Sequence, residues 1–592
     1  MSRPGLRRKY KNRGADPEYW LVPIELDTPA DESVTAGRRV LSFTRGLLGL
    51  VSVLLLCLLG RVVQLQMRPS DRIARLIDSQ QSRRDVLARR GHLTDALGRP
   101  LAISRTATRL FADPRLIQDP TSFARIVSDM LALDAREVEK KIRQRRDRRY
   151  AVLEHRLAAW QVEELGNLKL PGLATQRWLV REYPQGHLAG HLVGVAGFEG
   201  RGLEGLEFAF KDDLAPTSGS LDYLRDVRFR PVRMVNRNLR PPRDGVSIGV
   251  TIDLTIQSIA ETELSAQCRH FEAQQGQLII IEPHTGRILA MANYPEFDPN
   301  NLDQTSREQR RNRCVTDVFE PGSVFKPFVW AKALEGGFLD PGEVIDCTTN
   351  GLWVSPEGRR IHDVRGHGLI TAAQVITKSS NPGMAQIGLR LGAKRLHQAV
   401  GEFGFGSVTG SGLPGEATGI VHPLAKWNHY SVTSVPMGQE IAVTGLQLVR
   451  ALSAIANDGL LPRPRVRSTE GILPVRHHVL SALSARYTRY VMRLAVLEGT
   501  GRKANSDLFS IFGKTGTAQV ASSEKRGYLK NQYVASFIAG APVAKPRIVV
   551  GCFIHRPNKA IGHYGGIVAA PAVKRVIEQT LVYLGVEPIS DF

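Results

Sequence analysis

Two serines and two lysines stand where an acyl-transfer site would need them. Ser323 and Lys326 lie three positions apart in FEPGSVFKPF, directly after Pro321-Gly322. Residues i and i+3 share a helix face, so hydroxyl and amine can meet if the segment is helical. SVFKPFVWAKALEGG reads as such a helix, ending at Gly336-Gly337, with Pro327 near the first turn where a missing N–H is harmless. The positive end of its dipole would then sit at the serine and favour a negative oxygen. Phe325, Phe328 and Val329 flank the lysine, and an apolar setting lowers an amine's pKa until it can act as a base. The structural alternative is an ordinary helix start with one surface lysine; S-x-x-K arises by chance about once in a chain this long.

Two further segments carry matching chemistry. In TKSSNPGMAQIGLRLG, Ser379 and Asn381 sit between a helix, TAAQVITK, and another opened by Pro382. As a bare junction, Asn381 would be the N-cap. As a site, the Ser379 hydroxyl relays a proton and the Asn381 amide holds a substrate amide. In FGKTGTAQV, a strand pattern puts Lys514 and Gly516 on one face and Thr515 and Thr517 on the other. Gly516 lacks a side chain, which lets a ligand backbone approach closely, and a free strand edge can pair with an extended peptide. The three segments occur in order with helix, junction and strand contexts. Together they reverse the balance that each alone leaves with the structural alternative.

The elements that must hold these residues are those of a large globular chain. At 592 residues, 42% hydrophobic and 23% charged, it is expected to form several domains. The net charge of +22 suits an extended anionic partner such as a phospholipid surface, teichoic acid or peptidoglycan carboxylates. It does not indicate nucleic acid: the arginines are dispersed, with no interleaved aromatic pattern of a nucleic-acid module. None of the five cysteines forms C-x-x-C or zinc spacing, and their irregular placement describes no disulfide framework.

GLLGLVSVLLLCLLG, extended to residues 40–66, is long and apolar enough to cross a bilayer, with Arg45 and Arg61 snorkelling or paired. No small-residue cleavage site follows, so it is read as a retained anchor. Basic residues in 1–39 favour a cytoplasmic N-terminus. The expected organisation is a tail (1–39), the span (40–66), a mixed α/β segment without catalytic residues (67–245) and a catalytic domain (246–592). In the last, GQLIIIEPHTGRILAMAN reads as a hairpin, helices dominate 323–400, and three strands follow residue 510 before a terminal helix. The fold class is α+β, an antiparallel sheet flanked by helices.

The trio S-x-x-K, S-x-N and K-T-G is the set used by serine β-lactamases and penicillin-binding proteins, here with Ser-Ser-Asn in the second position. On these residues the chain resembles a class B penicillin-binding protein, in particular the division-specific, FtsI-type peptidoglycan D,D-transpeptidase. RRGHLTDALGRPLAIS, YPQGHLAGHLVG, GLEGLE, VTIDLTIQ, AMANYPEFDPNN, NRCVTDVFEPGS and VLEGTGRKA extend the resemblance from the membrane span onward, leaving residues 1–39 outside it. TDVFEPGS favours division over elongation, while Phe325 is bulkier than the family often has between Ser and Lys.

The resemblance implies a serine β-lactamase-like transpeptidase fold on an elongated pedestal of the dimerisation type. It implies that Ser323 attacks the D-Ala-D-Ala bond of a stem peptide, that Lys326 takes its proton, and that Ser379 and Lys514 return a proton to the leaving D-alanine. Asn381 would hold the substrate amide. The N–H groups of Ser323 and Thr517 would form an oxyanion hole, and Thr515 and Thr517, beside Gly516 and with Lys514, would hold the terminal carboxylate. Implied partners are stem peptides of lipid II-derived strands, β-lactams, the inner membrane, an FtsW-like glycan polymerase of the SEDS type and other divisome proteins; no metal or organic cofactor is implied. The expected location is the division septum, with the bulk of the chain periplasmic.

Other readings remain open at this point. An elongation-type transpeptidase, or a D,D-carboxypeptidase or β-lactamase of the same fold, shares the trio. A class A β-lactamase needs a glutamate-activated water for deacylation, and no E-x-x-L-N-type segment stands between Ser379 and Lys514. A β-lactam sensor or divisome scaffold with a vestigial site is the non-enzymatic alternative.

Overall fold

The computed structural model describes residues 33–67, 81–167, 170–226, 231–234, 240–468, 476–522 and 527–588. Most of the basic tail, and Arg68, Arg72 and Arg75 beyond the span, lie outside the described residues. The chain divides into two units, Met1–Arg84 with Asp222–Asn238, and Asp85–Leu221 with Leu239–Phe592.

In the first unit, helix α1 (Ser33–Met67) contains the expected span. Within its 29-residue part Arg39–Met67, an 18-residue window reaches a mean hydropathy of 2.4, and the helix is long and apolar enough to cross a membrane. Leu48, Leu54, Leu56 and Leu59 are exposed in different directions around it. A helix apolar all round is one built for a lipid environment. Arg61 Nη1 donates to Gln64 Oε1 at 2.8 Å, so part of this guanidinium is satisfied within its own helix.

The second unit begins with the pedestal segment. Strands β1 (Pro100–Ala112) and β2 (Leu173–Glu182) pair antiparallel from Ile103↔Glu182 to Ala112↔Leu173. Leu110, Phe123, Val127, Leu131, Val138, Ile142 and Leu153 give it a core of its own. Charged contacts brace it and tie it to the catalytic part. Glu207, fully buried, bridges Arg90 and Arg181 at 2.6 Å each. Arg99 bridges Asp95 and Asp253 at 2.6 and 2.8 Å, and Asp253 caps helix α2 (Leu254–His270) through Thr255 N and Ile256 N.

The catalytic part is organised by one five-stranded antiparallel sheet. Its strands are β3 (Gln275–Ile281), β4 (Ile288–Tyr294), β5 (Phe512–Ala521), β6 (Tyr528–Ala541) and β7 (Ile548–His555), ordered β4-β3-β7-β6-β5. Alternation separates two cores. Leu278, Ile280, Val550 and Cys552 face one, with α2 and helix α8 (Ala570–Tyr583), whereas Ile279, Ile281, Val549 and Phe553 face the other. A sheet apolar on both faces is stable only between two layers of helix. On the second face lie α3 (Lys326–Glu335), α4 (Ala372–Lys378), α5 (Asn381–Glu402), the wholly buried α6 (Gly445–Ala456) and α7 (Ala482–Leu497).

The region 323–400 is less helical than its sequence suggests. Val344–Asp346 pairs with Leu369–Thr371, and Leu352–Val354 with Arg360–His362. Each strand has three residues, too few for a period of two to register.

Candidate active site

Ser323 lies in a 3₁₀ turn, Gly322–Phe325, and α3 begins at Lys326. The α-helix therefore starts one turn later than the spacing suggested, with the serine at its N-terminal approach. Gly322 adopts φ 57°, and its N–H donates to Gly438 O at 3.0 Å. Phe325 turns away from the cleft: it is 1% exposed and packs on Phe405 and Phe328 at centroid distances of 5.0 and 5.7 Å. Its bulk goes into the core.

Lys326 is fully buried. Burial pulls its amine down to about 7, against the opposing pull of Asp363 and Cys347. Its Nζ donates to Ser379 O at 2.6 Å, to Asn381 Oδ1 at 2.7 Å and to Ser379 Oγ at 3.4 Å. Among the described residues no hydrogen bond joins it to the Ser323 hydroxyl in this resting state. The amine is held by the 379–381 junction. A neutral amine keeps two donors and gains a lone pair, which is what a base needs.

Ser379 ends α4 in the left-handed conformation, at φ 61°. Its hydroxyl accepts from Lys514 Nζ at 2.9 Å, and the same Nζ donates to Thr515 O at 3.1 Å. Lys514 is also fully buried, and burial followed by repulsion from Lys326 pushes its pKa well down. One hydroxyl thus sits between two desolvated amines, an arrangement that resists both being charged and favours proton exchange. The N-cap of α5 is Ser380, whose Oγ accepts from Gly383 N, not Asn381 as the junction reading had it. The Asn381 amide instead turns into the site: Oδ1 accepts from Lys326, and Nδ2 donates to His362 O at 2.8 Å.

Strand β5 lies at the sheet edge, bonded to β6 through Lys514↔Ile538 and Gly516↔Ser536. Its other edge is unpaired by any strand among the described residues, as peptide docking requires. Gly516 serves a different purpose from the one expected. A Cβ there would stand 2.9 Å from Val324 Cγ1 and 3.1 Å from Pro321 O, so the missing side chain admits the Ser323 turn onto the strand. Gly516→Ala is expected to cost about 1–3 kcal/mol by overpacking and to slow acylation about a hundredfold by displacing Ser323. A thermal melt and a penicillin-labelling time course check this. Thr515 Oγ1 shares a 2.6 Å hydrogen bond with Thr500 Oγ1, and Thr517 Oγ1 accepts from Gly565 N at 3.1 Å.

Sequence reasoning missed Asp363. Its carboxylate accepts from Ser380 Oγ at 2.7 Å and from Asn381 N at 2.6 Å. A lone loop aspartate carries no spacing signal; only the folded register of Arg360–His362 brings it to the junction.

A fixed serine turn, two buried amines around a relay hydroxyl and a free edge strand define a serine acyltransferase that handles a peptide. Comparison with known proteins agrees. The penicillin-binding protein transpeptidase domain matches residues 276–578, and the penicillin-binding protein dimerisation domain matches 85–249. The chain belongs to the penicillin-binding protein family, in the class B arrangement with the dimerisation module ahead of the transpeptidase. The probable peptidoglycan D,D-transpeptidase PenA of Neisseria gonorrhoeae is 32% identical over 545 residues, covering 91% of this chain and 92% of its own. The peptidoglycan D,D-transpeptidase FtsI of Escherichia coli K12 is 29% identical, with 92% of each chain covered. The crystal structure of penicillin-binding protein 3 from Mycobacterium tuberculosis with aztreonam is 27% identical, with a TM-score of 0.66, covering 86% of this chain and 98% of that one.

Proposed function

We propose that the chain is the peptidoglycan D,D-transpeptidase of the division septum, working through an acyl-enzyme at Ser323. The observation that carries this reading is the Lys326–Ser379–Lys514 relay set beside the Ser323 turn and an open strand edge. Ser323 Oγ attacks the carbonyl of the penultimate D-alanine while Lys326 takes the hydroxyl proton. The N–H groups of Ser323 and Thr517 receive the developing oxyanion, and such a donor is worth about 3 kcal/mol or more. Ser379, fed by Lys514, protonates the departing D-alanine nitrogen. Asn381 holds the donor peptide's amide, and Thr515 and Thr517 hold its carboxylate, with Gly516 keeping strand and turn together. An amine from a second stem peptide then breaks the ester and forms the cross-link. A β-lactam enters the same first step, but its leaving nitrogen stays tethered.

The test is intact and peptide mass spectrometry after penicillin exposure. One adduct on the peptide carrying Ser323 is expected, and no adduct or a different site would end the proposal. With Lys326 near 7, only its neutral form is a base. The second-order acylation rate is therefore expected to rise about tenfold per pH unit below 7 and to level off above it.

The segments 1–39, 40–66, 67–245 and 246–592 would then be cytoplasmic tail, single-pass anchor, periplasmic pedestal and catalytic domain. The anchor and pedestal would dock an FtsW-like glycan polymerase and other divisome proteins. Replacing Arg61 together with the apolar face around it is expected to weaken co-purification with the polymerase; unchanged recovery would remove that contact.

A further inference from the structure

We propose that Asp363 is a positioning residue for acylation, fixing the Ser380-Asn381 junction and supplying a buried negative charge that acts on the Lys326 amine. The inference rests on the reading of Ser323 and Lys326 as the acylating pair. The Asp363 side chain is almost wholly buried, 4% exposed. Both carboxylate oxygens are used: Oδ1 takes the Asn381 N–H at 2.6 Å and Oδ2 the Ser380 hydroxyl at 2.7 Å. Its neighbour His362 takes Asn381 Nδ2 through its carbonyl at 2.8 Å. Asn381 is therefore gripped from backbone and side chain by two consecutive residues, leaving Oδ1 aimed at Lys326 Nζ, 2.7 Å away. The Lys326 amine takes its place from Asn381, and Asn381 takes its place from Asp363.

The groups around the pair leave Asp363 as the charge that matters. Lys326 faces Lys514 of β5, which is cationic or neutral and never favours the ammonium. Cys347 faces it too, but burial raises that thiol above its ordinary value, so it stays neutral near pH 7. His367 Nε2 lies 3.8 Å from Asp363 Oδ2; its pKa is lowered by burial, with Arg365 and Lys378 adding to that, so it does not cancel the carboxylate near neutrality. Asp346 acts on Cys347 and is not among the groups that act on Lys326. Asp363 thus keeps the amine basic despite its burial, pulling against the desolvation that lowers it. Too little basicity makes a poor proton acceptor and too much keeps it protonated, so a carboxylate at this remove sets the working pH.

The experiment is the second-order rate of acylation by a fluorescent penicillin from pH 5.5 to 9, on full-length chain in detergent. Wild type, Asp363→Asn and Ser380→Ala are compared. Asn keeps the shape and can still accept from Asn381 N, but has no charge. The plateau is expected to fall about tenfold through loosened positioning, and the acid-side midpoint to move down by about one pH unit as the opposing charge is lost. Ser380→Ala removes a hydrogen bond and no charge, so its midpoint should stay with wild type. An Asp363→Asn profile that keeps the wild-type midpoint overturns the proposal, whether or not the plateau falls, because a purely structural contact would leave the midpoint in place. If Asp363→Asn does not accumulate folded, Asp363→Glu carries the test: a retained midpoint with a lower plateau supports the proposal, and a midpoint displaced downward overturns it. Failure of the underlying reading looks different, since wild type would then show no adduct at Ser323.

Discussion

Ser323→Ala is expected to abolish covalent labelling by penicillin and to fail to support growth in a strain depleted of the wild-type chain. The loss should be complete, because no other hydroxyl among the described residues has this setting. Ser379 is the nearest rival, but its oxygen is already held between Lys514 Nζ at 2.9 Å and Lys326 Nζ at 3.4 Å, and the helix that follows it, α5, is capped by Ser380. Ser323 instead precedes α3 directly, where unsatisfied N–H groups favour an oxyanion. The substitution removes one oxygen from a half-buried position and leaves the Gly322 N to Gly438 O bond untouched. Its thermal melt should coincide with wild type, so loss of labelling cannot be assigned to unfolding. Growth on Ser323→Ala equal to wild type would favour a scaffold role over an enzymatic one, and rapid turnover of the wild-type adduct would favour a hydrolase of the same fold.

How far the sequence discloses this site depends on the range over which each constraint acts. Ser323 and Lys326, or Lys514 through Thr517, are local spacings, and each announces an element that the chain then forms: a helical turn, and a strand whose alternate faces carry different chemistry. The fold class follows from similar local signals, since GQLIIIEPHTGRILAMAN and RIVVGCFIH are apolar runs that only a sheet covered on both faces accommodates. What stayed hidden is set by register between distant segments. Lys326 turns to Ser379 and Asn381, 53 and 55 residues away, and no spacing rule contains that choice. Gly516 looked like space for a ligand, but Pro321 and Val324, nearly two hundred residues earlier, occupy it. Asp363 and the buried Arg90–Glu207–Arg181 bridge belong to the same category.

Lys326→Met should separate catalysis from stability. Methionine keeps most of the apolar stem and loses the amine, so the acylation rate is expected to fall by about a thousandfold, within the range seen when a positioned general base is removed. The same change should not weaken the fold. Burial lowers the lysine from its ordinary value to about 7, so between pH 7 and about 10 the unfolded chain binds more protons at this position than the folded one. Folding stability contributed by this group therefore rises with pH across that window and is reduced below it. At pH 7 the burden is on the order of a few kcal/mol. Against it stand two acceptors, Ser379 O and Asn381 Oδ1, left without a partner at about 1–3 kcal/mol each if they were dry. Both residues are only half-buried and border the cleft, where water replaces the lost donor, so relief of the buried amine wins. Lys326→Met is expected to melt at or above the wild-type temperature at pH 7, with the wild type gaining on it as pH rises towards 10. A variant that melts well below wild type at pH 7 would mean that this lysine serves packing rather than proton transfer.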